Sequence, residues 1–299
     1  MLHFADRLAE SVHQCGNPVC LGIDPRWESL PRSIRESHDA SSLESIAHAF
    51  AVFGLRVLEL VGDRVPVIKP QAAFFEACGP DGLRALQAIL ERCRQMKRVT
   101  ILDAKRGDIA GTATAYADAA FAGIPVEGHI LPVWDADALT VNPYLGRDAL
   151  EPFLQSARQS QRGVFVLVRT SNPGAGLFQD LRCDGRPLYE HVGQAVANWN
   201  HESIGECGYG DVGAVVGATH PRELMELRAQ MPEVWFLIPG YGAQGGSADD
   251  VRHGLRGDGL GAIVNSSRGL TFPFAPDDPN WESAIRDATT RMIEALRPR

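Results

Sequence analysis

The chain has 299 residues, of which 44% are hydrophobic and 22% charged, the balance of a globular protein with a sizeable core. Its net charge of −8 argues against a nucleic-acid surface, because phosphate backbones need a basic face. A small anionic ligand stays possible, since charges beyond about 10 Å are largely screened at ~0.1 M salt.

No run approaches the ~18 apolar residues of a membrane span. Residues 1–14 mix Asp6, Arg7 and Glu10 with apolar side chains and read as an amphipathic helix, not a signal sequence. The six cysteines, Cys15, Cys20, Cys78, Cys93, Cys183 and Cys207, form no Cys-x-x-Cys pair and no zinc-ligand spacing. A reduced, soluble, cytoplasmic protein without nucleic-acid or membrane partners is expected.

From there the chain alternates short β-rich runs with helical stretches. Strands are expected at 19–24, 65–69, 99–104, 138–142, 163–168, 212–217, 234–238 and 261–265. Most are apolar throughout, as parallel strands buried on both faces must be. Helices are expected between them, at 43–61, 81–96, 112–122, 147–155, 188–200, 221–230 and 247–255, with a last one at 281–296. Eight such repeats fit an α/β fold of the (β/α)₈ TIM-barrel class, one catalytic domain over 1–299. An open doubly wound sheet is the alternative. Two long breaks, 25–42 and 171–187, follow strands, and stretches of that length are often lids or binding loops.

Polar groups recur at the C-terminal ends of these strands, where a barrel carries its active site. The first strand ends in Asp24, the second in Lys69, and the third runs into Asp103 and Lys105. Asn142 ends the fourth, Ser171 follows the fifth, Gln244 lies after the seventh and Arg268 after the eighth. Asp103 and Lys105, two residues apart, share a strand face, and Asp108 follows Gly107, which permits a tight turn. A helix cap and a solvated ion pair would explain the triplet alone, but not Lys69 one strand over. Flanking carboxylates favour the ammonium form of Lys105. A Schiff-base lysine needs a depressed pKa, so Lys105 is better suited to donate a proton and stabilise negative charge.

Segment Pro239-Gly240-Tyr241-Gly242-Ala243-Gln244-Gly245-Gly246 formally matches G-x-G-x-x-G. A dinucleotide fingerprint opens a βαβ unit and precedes an acid about 20 residues on. This segment follows the seventh strand instead, and the next strand ends in Asn265-Ser266. A phosphate loop fits better, with backbone N–H groups, the start of a helix at Ser247 and the Arg268 guanidinium as ligands.

Together these segments resemble the orotidine 5′-monophosphate decarboxylases, in their longer bacterial form. The motifs that carry the resemblance are Asp-x-Lys-x-x-Asp at 103–108, Ile68-Lys69-Pro70-Gln71 and Pro-Gly-x-Gly-Ala-Gln-Gly-Gly at 239–246. In matching order it runs from Leu21 to Gly269. The resemblance implies decarboxylation of orotidine 5′-monophosphate to uridine 5′-monophosphate, the last step of de novo pyrimidine synthesis, with no metal or organic cofactor. It also implies that Lys69, Asp103, Lys105 and Asp108 form a charged tetrad and that Asp24 lies near the ribose hydroxyls. Ser171 would read the pyrimidine, and Gln244 and Arg268 would hold the phosphate. It further implies a homodimer in which Asp108, with Ile109 and Thr112, enters the partner's site.

A metal-dependent sugar-phosphate decarboxylase or lyase of the same barrel superfamily is the rival. It shares Asp-x-Lys-x-x-Asp but calls for an acidic metal ligand where this chain has Lys69, which would repel magnesium. A Schiff-base aldolase and a catalytically dead nucleotide binder are more distant readings. His48, His129, His191 and His220 show no i, i+4 ligand spacing.

Overall fold

The computed structural model describes residues 2–242 and 245–297. Eight parallel strands form its barrel: β1 (Val19–Ile23), β2 (Val67–Pro70), β3 (Val99–Arg106), β4 (Ala138–Val141), β5 (Gly163–Arg169), β6 (Val212–Val216), β7 (Phe236–Ile238) and β8 (Ala262–Ser266). They close in the order β1-β8-β7-β6-β5-β4-β3-β2. Every residue of β1, β2, β4, β6, β7 and β8 is buried, which explains why the strands read as continuous apolar runs with no period-two alternation. The expected strands are therefore all present, with ends displaced by one or two residues.

By its internal contacts the chain divides into two compact units. One consists of Ser11–Ala104 and Ser266–Arg299. Here the helix Leu43–Val61 begins at Ser42, whose hydroxyl accepts the Ser45 N–H, and it buries Phe50, Phe53, Val57 and Val61. Gly54 is needed for space: a Cβ there would lie 2.7 Å from Ile89 Cδ1 of the helix Gly79–Gln95. Arg56 reaches Glu282 through two bonds of 2.8 and 2.9 Å, tying Leu43–Val61 to the terminal helix Trp281–Leu296.

The other unit consists of Met1–Glu10 and Lys105–Asn265. Its N-terminal segment starts the helix Phe4–Cys15 and lies under the beginnings of β4 and β5. Phe4 packs edge-on against Phe165, with ring centroids 6.2 Å apart, and a Cβ on Gly163 would collide with the Phe4 ring. Arg7 bonds Asp137 at 2.5 Å and the Gln161 carbonyl at 2.9 Å, while Arg162 also binds Asp137. The helix expected at 112–122 is Ala110–Ala117 followed by a π-helical turn, Asp118–Ala122.

Neither long break is structureless. Residues 25–42 contain the turns Trp27–Ser29 and Arg32–Arg35. Residues 171–187 contain Pro173–Ala175, Gly176–Gln179 and a hairpin pairing Arg182–Cys183 with Arg186–Pro187. A second hairpin, pairing Ile124–Val126 with His129–Leu131, was not expected. Both turn on residues with positive φ, Glu127-Gly128 (49° and 83°) and Asp184-Gly185 (51° and 80°), as two-residue hairpin loops require. The Asp-Gly pair was a usable signal, and the strands beside it are too short to announce themselves.

Candidate active site

In the unit holding β1 and β2, the register sets Gly22 beside Lys69 and Ile23 beside Pro70, and Gln71 bridges Asp103. Lys69 is 3% exposed and Asp103 7%, and Lys69 Nζ lies 2.7 Å from Asp103 Oδ2. Gln71 donates its amide to the same oxygen at 2.9 Å. Burial works against the Lys69 ammonium, but the carboxylates of Asp103 and Asp24 outweigh it, aided by Cys20 and the hydrogen bond to Asp103. The Lys69 pKa therefore lies above the usual lysine value, and the site holds a permanent buried cation. Cys20, buried on β1, has its thiol pushed up to about 12 by burial, against the pull of the Lys69 charge, with Asp103 and Asp24 adding to the rise. Asp24 follows β1 directly, and its Oδ1 is buried with no hydrogen-bond donor among the described residues. Arg268 is exposed and opens the short helix Arg268–Thr271 just past β8.

In the other unit Lys105 is exposed and adopts φ 47°, the left-handed region that a β-carbon disfavours. Regular strand alternation therefore stops at Lys105, and the two-residue spacing from Asp103 does not by itself assign it a face. The Thr140 hydroxyl on β4, 1% exposed, accepts the Lys105 N–H at 2.9 Å and secures this conformation. The role expected of Gly107 also changes. Its φ is not positive; instead a Cβ there would lie 3.3 Å from the Asn142 carbonyl, so glycine serves close passage along the end of β4.

Asp108 is half-buried, and its Oδ1 accepts the Ile109 N–H at 2.8 Å. It does not cap the helix, whose N-cap position is Ile109. Ile109 is 58% exposed and Thr112 is exposed too.

Ser171, just past β5, is half-buried where Gly217 abuts it: a Cβ on Gly217 would lie 2.9 Å from both Ser171 Cα and Cβ. Ser171 lines a cavity of about 620 Å³ together with Arg169, Asn172, Ala175, Thr219 and His220.

The glycine-rich segment after β7 folds on itself. Gly242 N–H donates to Gly246, Gly245 to Gly242 and Gly246 to Gly240, at 2.8–3.2 Å. Ser247 and Asp250 form a reciprocal capping box for the helix Ala248–Arg252. The N–H groups of residues 242, 245, 246, 247 and 250 are thus engaged within the segment itself. Gln244 lies outside the described residues.

Sequence reasoning missed Gln71 and Thr140 as supports of the charged residues. Gln71 stood inside the motif 68–71, and its amide is a natural second donor to a buried carboxylate. Nothing in the local sequence marks Thr140, because its role depends on β4 lying beside Lys105.

A sequence model described as the orotidine 5′-phosphate decarboxylase / HUMPS family matches residues 17–276. The orotidine 5′-phosphate decarboxylase of Rhodopirellula baltica is 46% identical over 304 residues, covering 99% of this chain and all of the relative. That of Caldicellulosiruptor bescii is 38% identical, over 92% of this chain and 91% of its own. Among solved structures, the OMP decarboxylase of Leishmania donovani superposes with a TM-score of 0.76 at 35% identity, covering 99% of this chain and 97% of its own.

Proposed function

We propose that this chain, which belongs to the orotidine 5′-phosphate decarboxylase / HUMPS family, is a carboxy-lyase that converts orotidine 5′-monophosphate to uridine 5′-monophosphate and CO₂. That reaction is the last step of de novo pyrimidine synthesis. The observation that carries the reading is the buried Lys69–Asp103 pair at the ends of adjacent strands, in a chain whose family match spans both units. A buried ion pair is an expensive way to stabilise a fold, and its placement at strand ends suits an electrostatic catalyst.

In this reading the chain is a single catalytic domain, and Asp103, Lys105, Asp108 and Lys69 are the charged residues that act on the substrate. The bond between C6 of the pyrimidine and its carboxylate breaks. CO₂ leaves, and the electron pair stays on C6. The Lys105 ammonium stabilises that charge and then gives C6 its proton, and solvent restores the ammonium. Asp103 faces the departing carboxylate, held by Lys69 and Gln71. Asp24, whose Oδ1 has no donor among the described residues, accepts a hydrogen bond from a ribose hydroxyl. Ser171 reads the pyrimidine, and Arg268 and Gln244 hold the phosphate. Very slow uncatalysed reactions leave room for enhancements of up to ~10¹⁷, about 23 kcal/mol, so contacts remote from C6 must contribute to kcat as well.

The working unit is a homodimer in which Asp108, Ile109 and Thr112 enter the partner's site. Support comes from the helix Ala110–Ala117, which has no charged residue although Thr112, Thr114 and Tyr116 are exposed. Exposed Ile109, Ile124, Val126, Ile130, Leu131, Tyr144 and Leu145 come from the same stretch of chain. Apolar exposure so concentrated marks a protein contact. A cytoplasmic location agrees with the absence of any disulfide among the described residues. No helix among them is long and apolar enough to cross a membrane.

An ultraviolet assay of orotidine 5′-monophosphate in the presence of EDTA tests the function. Loss of the substrate absorbance at an undiminished rate is expected. No turnover, or turnover that depends on added magnesium, overturns the reading.

A further inference from the structure

The loop after β5 returns to the strand end from which it left. Ser171 begins this loop, and Gln179 and Asp180 lie at the far end of its two helical turns, Pro173–Ala175 and Gly176–Gln179. Gln179 grips Thr170 twice: its Oε1 accepts the Thr170 N–H at 3.0 Å, and its Nε2 donates to Thr170 Oγ1 at 2.8 Å. That hydroxyl in turn donates to Asn172 Oδ1 at 2.7 Å. Ser171 is thereby flanked on both sides by residues tied into one hydrogen-bonded chain.

Asp180 makes the second attachment. Arg169, the last residue of β5, is 4% exposed, and its Nη1 lies 2.7 Å from Asp180 Oδ1. The contact is ionic, close in distance but not aligned as a hydrogen bond. The guanidinium also lies 5.0 Å from the centre of the Tyr189 ring and 3.8 Å from Glu223. A buried guanidinium needs countercharge, so the strand end favours the loop conformation that delivers the Asp180 carboxylate. Gly217 also abuts Ser171 closely, leaving no room for a side chain between them.

We propose that Gln179 and Asp180 are positioning residues: they latch the loop onto Thr170 and Arg169 and so hold Ser171 for recognition of the pyrimidine. This rests on the assignment of Ser171 to the base. A ten-residue loop without the latch would sample many conformations, and binding would have to select the competent one. The latch removes that cost before the ligand arrives. Neither residue needs to touch substrate, and the effect belongs to base recognition, not to phosphate binding.

The test compares two ligands on the intact protein, uridine 5′-monophosphate and ribose 5-phosphate, by calorimetry. Gln179→Ala and Asp180→Ala should each weaken the nucleotide about tenfold, roughly 1.4 kcal/mol, and leave ribose 5-phosphate unchanged. Gln179→Glu, which keeps the acceptor facing the Thr170 N–H, should recover part of the loss. In a Ser171→Ala background Gln179→Ala should have no further effect. Equal weakening of both ligands, or full additivity with Ser171→Ala, overturns the proposal and leaves a purely structural loop contact. A wild-type protein that turns over orotidine 5′-monophosphate while Gln179→Ala and Asp180→Ala bind the nucleotide normally sinks the latch alone. A wild-type protein with neither turnover nor nucleotide binding sinks the functional reading, and the latch with it.

Discussion

Lys69 and Lys105 sit in opposite settings and should respond differently to substitution. Lys69 is buried against Asp103, so Lys69→Met removes the cation from a buried carboxylate. A loss of about 3–5 kcal/mol in chemical denaturation is expected, partly recovered by adding Asp103→Asn. The native Lys69 pKa is raised above its unfolded value of 10.5. The stabilisation is therefore complete below that value and is lost only as pH climbs through the native one. The measured loss should accordingly stay constant from neutral pH up to 10.5. Lys105 is exposed, and its backbone is held by Thr140. Lys105→Ala should lower kcat roughly 10⁴-fold with little change in melting temperature or in binding of a nucleotide analogue. Substantial activity in that variant would remove Lys105 from the mechanism.

The elements divide their labour by which end of a strand they serve. At the N-terminal ends of β4 and β5, the start of the helix Phe4–Cys15 supplies apolar cover and an ion-pair network. Residues there contribute to stability, not chemistry. Phe4→Ala leaves a cavity beneath Phe165 and should destabilise the protein by about 3–5 kcal/mol while kcat is retained, as thermal melts beside steady-state assays would show. A matching loss of kcat would mean that the helix reaches the chemistry. At the C-terminal ends the loops carry the polar groups. There the N–H groups of Gly242, Gly245 and Gly246 bond carbonyls of their own segment, and the helix that follows is capped by Ser247 and Asp250. Periodicity and glycine content mark such a loop but do not say where its donors point.

For the whole molecule the decisive question is whether one chain suffices. If Asp108 serves the partner's site, dimers of Lys105→Ala and dimers of Asp108→Ala are each inactive. A hybrid of the two contains one site with both defects and one with neither. Exchanging the two variants should therefore restore about a quarter of wild-type activity, because half the dimers are hybrid and each has one intact site. No recovery after subunits are shown to exchange by light scattering and labelled chains would make the site belong to a single subunit. The uncharged helix Ala110–Ala117, with Thr112, Thr114 and Tyr116 exposed, and the exposed apolar hairpin that follows it in sequence are the surfaces this test probes.

The pattern that opened the case, apolar runs of strand length alternating with helical stretches and ending in Asp24, Lys69, Asp103 and Ser171, was legible because parallel barrel strands are buried on both faces. Hydrophobicity and strand-end chemistry are local properties, and the sequence by itself determined the barrel and, to within two residues, the bounds of its strands. What Gln71 and Thr140 support, how Gln179 and Asp180 return to Thr170 and Arg169, and why Gly107 and Gly217 must lack a side chain were decided only in the tertiary structure. Each of these depends on groups from different strands or the far end of a loop coming within 2.7–3.3 Å of one another. Register and loop return are global outcomes of packing, and no window of sequence contains them.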